Sequence, residues 1–259
     1  MGGAFKVYAI LLGLVCISFS QELKACYRAY LFFLPVAETC ITYRQEGNTL
    51  RSESFVRTIN VGKLVKRVYN RGWAVSLLPE LRPIKFYYYQ EEGEFKRKQE
   101  YEFKNGKIYV REIKYVKLTE EVEKDEKKVY EYRGFVDPYT AGLLLYRESS
   151  KAQAGTIRMF YDDKEYWLPY SVVGKETVEV QAGHFYTRLV QVQPNIETKG
   201  LLKPKGTWYI WIDEETNLPV KMELKFVIGS ATAKLERIEG NKNLLKEVFL
   251  LKAGAYSPQ

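Results

Sequence analysis

The sequence predicts a mainly β protein built on a single curved antiparallel sheet, an open or half barrel, with one or two short helices. Short apolar and aromatic runs recur along the chain, and turn-forming pairs such as Asn105-Gly106 separate them. Met222 and Leu224 alternate with charged residues, which is typical of a strand with one face in water. With 46% hydrophobic and 28% charged residues among 259, the chain is neither disordered nor collagen-like.

The first half of the chain is predicted to form strands and one short helix. Pro35 interrupts the first apolar run, which indicates an edge strand or a bulge. Apolar residues recur at helical spacing over residues 61–69, so a short helix is expected there. Strands are expected at residues 27–43, 52–58, 73–78, 86–90, 95–103 and 108–116.

The second half is predicted to contain a helix followed by further strands. The helix is expected over residues 136–147, because Asp137-Pro138 suits a helix start. Residues 117–128 are highly charged and indicate an exposed loop or strand end. Strands are expected at residues 156–161, 165–170, 175–181, 185–192, 207–212, 219–228 and 231–238.

The N-terminus predicts export to the periplasm. Residues 1–20 are expected to be a signal peptide, since Lys6 precedes a short apolar run and Ser18 and Ser20 suit cleavage after Ser20. The run is shorter than a bilayer-spanning helix needs, although an uncleaved anchor is the alternative. Residues 21–240 are predicted to form one β-rich domain. Residues 241–259 are expected to be a C-terminal tail, with a short helix at 244–251.

The cysteines point to a structural bond. Cys16 would leave with the signal peptide, so Cys26 and Cys40 remain in an oxidising compartment and are predicted to form a disulfide, with two buried thiols as the alternative. Lipidation of Cys26 is not expected. Leu23 stands at a suitable offset, but Lys24 does not fit the pattern of lipoprotein signals.

The charge pattern is that of a mixed, solvated surface. Forty Lys and Arg residues against 32 Asp and Glu residues give a net charge of +8. The sharper interpretation is a peripheral contact with an anionic membrane. Nucleic acid is not expected as a partner, because no dense arginine cluster or recognition motif occurs.

The sequence carries no motif for catalysis, a cofactor or a metal. The single histidine, His184, follows Gly183 at an apparent hairpin corner and has no identifiable partner. Asp162-Asp163 is interpreted as a turn, where aspartate favours local backbone bonding. No catalytic residue, cofactor or metal ligand is therefore predicted. A hydrolase built from scattered carboxylates stays open.

Aromatic residues are the strongest candidates for binding. The runs 87–89 and 207–212 place bulky side chains on both faces of a strand, so a second layer, a helix or a ligand should cover each face. Plain packing of a large β core is one explanation. An apolar guest in the concavity of the sheet is the other. The candidate cavity residues are Trp73, Tyr87, Tyr89, Trp208 and Trp211.

Several short motifs resemble known bacterial families. Residues 208–213, followed by Leu218-Pro219, resemble an element of the periplasmic LolA/LolB/RseB-like proteins. Residues 137–147 resemble a mid-chain helix, and residues 182–185 a hairpin, of the family called domain of unknown function 3108. This resemblance spans residues 27–238. It implies an exported protein without an established activity, and the LolA and LolB likeness implies a sheet curled around an apolar, acyl-chain-binding cavity.

Two functions are consistent with these patterns. The first is an exported, non-enzymatic cell-envelope protein that binds a lipid or other amphiphile in the concavity of the sheet. The alternative is a structural or protein-interaction module of the periplasm with a filled core, which docks an envelope protein partner. A cavity of a few hundred Å³ would separate the two.

Overall fold

The computed structural model describes residues 21–197, 206–226 and 229–252, so the predicted signal peptide lies outside the described residues. The helices are α1 (Gly62–Val65), α2 (Pro138–Glu148) and α3 (Leu244–Leu250). The strands are β1 (Glu22–Leu31), β2 (Leu34–Glu46), β3 (Thr49–Thr58), β4 (Val68–Leu77), β5 (Arg82–Glu92), β6 (Phe95–Lys104), β7 (Lys107–Tyr115), β8 (Val122–Glu131), β9 (Ala154–Tyr161), β10 (Lys164–Val180), β11 (Gly183–Val192), β12 (Trp208–Asp213), β13 (Pro219–Phe226) and β14 (Gly229–Gly240).

All fourteen strands belong to one antiparallel sheet, in the order β8-β7-β6-β5-β4-β3-β2-β1-β14-β13-β12-β11-β10-β9. It consists of two meanders, β1–β8 and β9–β14. The meanders are joined by the pairing of β1 with β14, which runs from Leu23 opposite Gly240 to Tyr30 opposite Thr232. A twisted sheet of more than about ten strands tends to curl. This one curls but does not close into a barrel, which confirms the predicted fold class.

The helix α2 lies between the two meanders in sequence and packs into the core that the sheet surrounds. Its start is as predicted, since the Asp137 carboxylate accepts hydrogen bonds from the backbone N–H groups of Tyr139 (2.9 Å) and Thr140 (3.0 Å). Pro138 occupies the first turn, where a missing N–H costs nothing. Leu143 and Leu145 of this helix are buried in the main core.

The two ends of the sheet meet through backbone and side-chain contacts. Val136, just before α2, forms an isolated bridge with Met159 of β9. The rings of Tyr101 on β6 and Phe160 on β9 lie 5.6 Å apart, edge to face. The hydroxyl of Tyr101 also accepts a hydrogen bond from the backbone N–H of Asp162 (3.1 Å). These contacts hold the curled shape without a strand ladder between β8 and β9.

The disulfide candidates lie opposite each other on neighbouring strands. Cys26 of β1 pairs directly with Cys40 of β2. Their sulfur atoms are bonded at 2.12 Å, with the Cα atoms 4.0 Å apart. The bond therefore ties the first strand of the described chain to the second.

Several predicted boundaries need correction. The run 27–43 is two strands, because the chain turns at Phe32-Phe33, where Phe32 has a positive φ of 57°. The helix expected over 61–69 is only α1, since β4 already begins at Val68. The strands expected at residues 165–170 and 175–181 are one long strand, β10, which ends at Val180. In the C-terminal region, α3 buries Leu244 and its neighbour Leu245 in the main core.

The expectation that a second layer, a helix or a ligand covers both faces of the aromatic strands is wrong for the outer face. There, cationic side chains lie over the rings. The Arg51 guanidinium is 4.5 Å from the Trp73 ring centre, and the ammonium of Lys221 is 4.0 Å from that of Trp211. Long basic side chains can therefore shield aromatic rings without a further structural layer.

Candidate functional site

A cavity of about 420 Å³ lies between α2 and the inner face of the sheet. Most of its lining is aliphatic or aromatic, and both meanders contribute to it. Its walls are formed by Ile41, Tyr43, Ser54, Phe86, Tyr88, Gln90, Glu92, Pro138, Tyr139, Ala141, Gly142, Leu145, Tyr146, Ile157, Met159, Tyr161, Leu168, Val192, Pro194, Ile196, Trp208, Ile210, Met222 and Leu224. The volume falls within the range of small-molecule sites in proteins.

Three tyrosine hydroxyls in this lining are free to meet a ligand. Tyr43, Tyr88 and Tyr146 make no hydrogen bond through their hydroxyls to any residue that the structure describes. Burial raises the pKa of Tyr146 to about 12, and burial raises the pKa values of Tyr43 and Tyr88 well above the ordinary value. All three are therefore neutral near pH 7 and can donate or accept a hydrogen bond.

A hydrogen-bonded polar group forms one part of the wall. The Oε1 atom of the buried Glu92 accepts hydrogen bonds from Asn70 Nδ2 (2.9 Å) and Gln90 Nε2 (2.7 Å). Gln90 in turn accepts a hydrogen bond from Arg97 Nε (2.8 Å). These side chains are hydrogen-bonded to one another, so this polar part of the wall satisfies its own buried carboxylate.

Part of the cavity lies at the end of the sheet where β1 turns into β2, here called the Phe32 end. Glu92 is the last residue of β5, and Trp208 is the first residue of β12. In the antiparallel order, both of these strand ends lie on the same side as the Phe32-Phe33 turn. Ile196, in the connection after β11, also lines the cavity at this side.

The five residues predicted to line a cavity do not come together. Trp208 lies in the cavity wall, and its Nε1 donates a hydrogen bond to the carbonyl oxygen of Lys225 (2.9 Å). Trp73 stacks on Tyr87, with ring centres 5.8 Å apart, in a separate and more highly charged groove of about 490 Å³. The Tyr89 hydroxyl bonds Glu91 (3.0 Å), and the Trp211 indole donates to Glu176.

Sequence reasoning missed the inner-face tyrosines. Tyr88 stands between Tyr87 and Tyr89 and lines the cavity, whereas its two neighbours are outside the lining. The alternation of faces along a strand separates these residues into two sets but does not show which set faces inward. Tyr146 lies near the C-terminal end of α2, and only the docked position of that helix brings it to the site.

The described residues hold no cluster of metal-ligating side chains. Within residues 21–197, 206–226 and 229–252, no group of three or more His, Cys, Asp or Glu side chains could hold a metal ion. No helix in the described part of the chain is long and apolar enough to cross a membrane. His184 is exposed on β11, one residue after the strand begins, with its Nε2 3.9 Å from a Glu179 oxygen.

Two solved structures resemble this fold. One is a candidate exported protein with a YmcC-like fold from Bacteroides fragilis, with 13% identity, a TM-score of 0.31, and coverage of 85% of this chain and 96% of that chain. The other is a candidate lipoprotein from Parabacteroides distasonis, with 8% identity, a TM-score of 0.33, and the same coverage. At these TM-scores neither likeness bears on function.

Among curated protein sequences, none matches this chain. The likeness to LolA, LolB and RseB stays a prediction. The resemblance to the 3108 family is confirmed, because the model of that family matches residues 26–236 and so spans almost the entire sheet. The chain therefore belongs to the family described as protein of unknown function DUF3108.

Proposed function

We propose that the protein is exported to the cell envelope and binds an amphiphile, without catalysing a reaction, in the cavity beneath α2. The observation that carries this proposal is the cavity itself, which combines about 420 Å³ of mainly apolar lining with the unbonded hydroxyls of Tyr43, Tyr88 and Tyr146. Such a lining favours a molecule with a long apolar part and a few oxygen atoms.

The dimensions suit an acyl chain or a comparable apolar group. Cavities of roughly 150 Å³ already hold benzene, so this volume accommodates a considerably larger guest. A neutral hydroxyl or ester oxygen on the ligand would hydrogen-bond the tyrosines, which keep their protons near pH 7. We therefore expect a neutral polar group to be preferred over a carboxylate at these positions.

The proposed location rests on the N-terminal pattern. Residues 1–20 have the order of a signal peptide, with Lys6, an apolar run and small residues before Gln21. The bond between Cys26 and Cys40 suits an oxidising compartment. It also supports a protein without a lipid on Cys26, because a thioether to lipid would require the same sulfur atom.

The alternative, a protein-interaction module, would require a filled core. Protein interiors are packed to nearly crystalline density, and voids much larger than a water molecule are rare. The mainly apolar lining of the cavity, beneath a helix whose Leu143 and Leu145 are packed in the main core, supports the ligand-binding function.

Native mass spectrometry after gentle purification tests the proposal. We expect a bound mass that organic extraction releases as an amphiphile. The delipidated protein should then take up a fluorescent fatty alcohol with saturation at one molecule per chain. Absence of any co-purifying amphiphile, together with no saturable uptake of the fluorescent probe, would contradict the proposed function.

A further inference from the structure

The β1–β2 hairpin ends in three exposed apolar side chains. Phe32 is 90% exposed, Phe33 is 81% exposed and Leu34 is 42% exposed. Phe32 adopts a positive φ of 57°, a region that phenylalanine rarely occupies and that any Asn or Gly would enter more easily. The turn thus displays two large aromatic rings where a polar turn residue would fit the backbone better.

Two further exposed apolar residues lie beside this hairpin. Leu64 on α1 is 87% exposed, and Val61 before it is 37% exposed. The segment that leads into α1 is fixed against β2, because the Ile59 N–H donates a hydrogen bond to the Val36 carbonyl oxygen (2.9 Å). Gly62 lies against the same carbonyl so closely that no other residue would fit. Single exposed apolar residues are ordinary, but a cluster marks a contact surface.

The α1 loop beside this cluster is cationic. Lys63, Lys66 and Arg67 lie in the α1 loop, which is residues 59–69. This loop contains no acidic residue. Residues 28–37 contain none either. Within the described chain, no ion pair engages these three cations. Apolar side chains surrounded by Lys and Arg are typical of surfaces that enter the headgroup region of anionic membranes.

We propose that the Phe32 end of the molecule docks on an anionic phospholipid bilayer, with Phe32, Phe33 and Leu64 inserted among the lipids and the α1 cations against the headgroups. The bilayer is favoured over a protein partner because the apolar residues project from turns and the charged residues of the α1 loop beside them are all positive. This docking does not depend on the cavity. It places the cavity wall at Glu92 and Trp208 on the membrane side of the sheet.

Vesicle flotation tests the docking. The full chain is mixed with vesicles of phosphatidylcholine alone or with phosphatidylglycerol at one part in three. We expect at least about tenfold tighter binding to the anionic vesicles. The double variant Phe32→Asn/Phe33→Ser should lose at least about tenfold in that binding. Asn suits the positive φ at position 32, so the hairpin is expected to keep its fold.

Matched controls use the opposite end of the sheet. Leu250 on α3 is 69% exposed, and Leu250→Ser should leave vesicle binding unchanged. Lys63→Gln/Arg67→Gln should weaken binding to anionic vesicles, whereas Lys107→Gln/Lys242→Gln, at exposed cations of the opposite end, should not. Circular dichroism confirms that each variant is folded.

Three results would overturn the docking proposal. One is vesicle binding that is equal for wild type and the Phe32→Asn/Phe33→Ser variant. Another is no binding to either vesicle. The third is a concentration-dependent dimer that the same double variant abolishes, which would assign the cluster to a second copy of the chain. Amphiphile uptake is measured separately without vesicles, so failure of docking and failure of the proposed function remain distinguishable.

Discussion

Arg97 on β6 and Asp162 in the β9–β10 turn join strands that lie far apart in the sheet order, with Nη1 2.5 Å from Oδ1. The same Nη1 atom lies 3.0 Å from an oxygen of Glu112 on β7. All three side chains are buried. This charged cluster therefore fixes the curl of the sheet at the place where no strand ladder connects its two ends.

Removing Arg97 should be strongly destabilising. Arg97→Leu removes the buried cation that contacts both Glu112 and Asp162, and breaking a buried ion pair typically costs about 3–5 kcal/mol of unfolding free energy. Urea unfolding followed by tryptophan fluorescence measures this loss. The matched control is Arg111→Leu, whose ion pair with Asp125 is exposed to solvent and should contribute little to the unfolding free energy. Equal losses in both variants would argue against the cluster.

Asp137 predicts a specific dependence of stability on pH. Burial raises the pKa of this carboxyl to about 6 in the folded protein, although hydrogen bonds from Thr140 and Tyr139 act in the opposite direction. The folded state therefore takes up a proton at higher pH than the unfolded chain. Protonation of Asp137 should therefore increase the free energy of unfolding as the pH falls from about 6 to about 4, by up to about 3 kcal/mol.

The variant Asp137→Asn isolates this contribution. Asn remains a good helix cap and can accept the same backbone hydrogen bonds, but it cannot titrate. The difference in unfolding free energy between wild type and variant should therefore change between pH 4 and pH 6 and level off above pH 7. A difference that is constant over this range would refute the raised pKa.

Filling the cavity should block uptake of the ligand. Gly142 lies on α2 in the cavity wall, and a Cβ there would meet only the Tyr146 ring at ordinary contact distance, with the hydroxyl at 3.7 Å. Gly142→Trp is expected to weaken uptake of a fluorescent fatty alcohol at least about tenfold by occupying part of the cavity. Fluorescence titration measures the change.

Gly142→Ala is the matched control for this substitution. It removes the same helical glycine, so it should stabilise the fold by about 0.5–1 kcal/mol, and it adds only one methyl group to the cavity. Uptake should stay close to that of the wild type. If both variants bind the fluorescent alcohol as the wild type does, the ligand does not occupy this cavity.

The disulfide should make a measurable contribution to stability. Cys26 and Cys40 are 14 positions apart, and a loop of this length predicts a loss of about 3 kcal/mol in the double variant Cys26→Ser/Cys40→Ser. Urea unfolding with and without reductant measures it. Reductant should destabilise the wild type and leave the variant unchanged. A peptide map of the unreduced protein that recovers both cysteines unlinked would show that the bond does not form.

Much of the fold could be predicted because the signals were local. Asn105-Gly106 forms the expected hairpin, with positive φ at both residues. Asp137-Pro138 begins a helix as its capping chemistry requires. The turn at Phe32-Phe33 could not be found in the same way. Two phenylalanines carry no turn signal, and only the pairing of β1 with β2 reveals the reversal.

The candidate site was less predictable because it depends on contacts between distant segments. Trp208 was expected at the cavity and lines it, but Tyr43 and Tyr146 had no distinguishing pattern. Tyr146 reaches the site through the docking of α2, and Tyr43 through the curl that brings β2 under this helix. Neither relationship is encoded in the spacing of residues along one strand.

The open form of the sheet leaves two edge strands, and each is unsuited to further growth. On β8, residues 123–128 are six consecutive charged side chains, which oppose the approach of another backbone. On β9, Val136 occupies backbone groups, donating its N–H to Arg158 (3.1 Å) and accepting from Phe160 (2.8 Å). A crowded solution of this molecule should consequently resist fibril formation even though about two in three of the residues that the structure describes lie in strands.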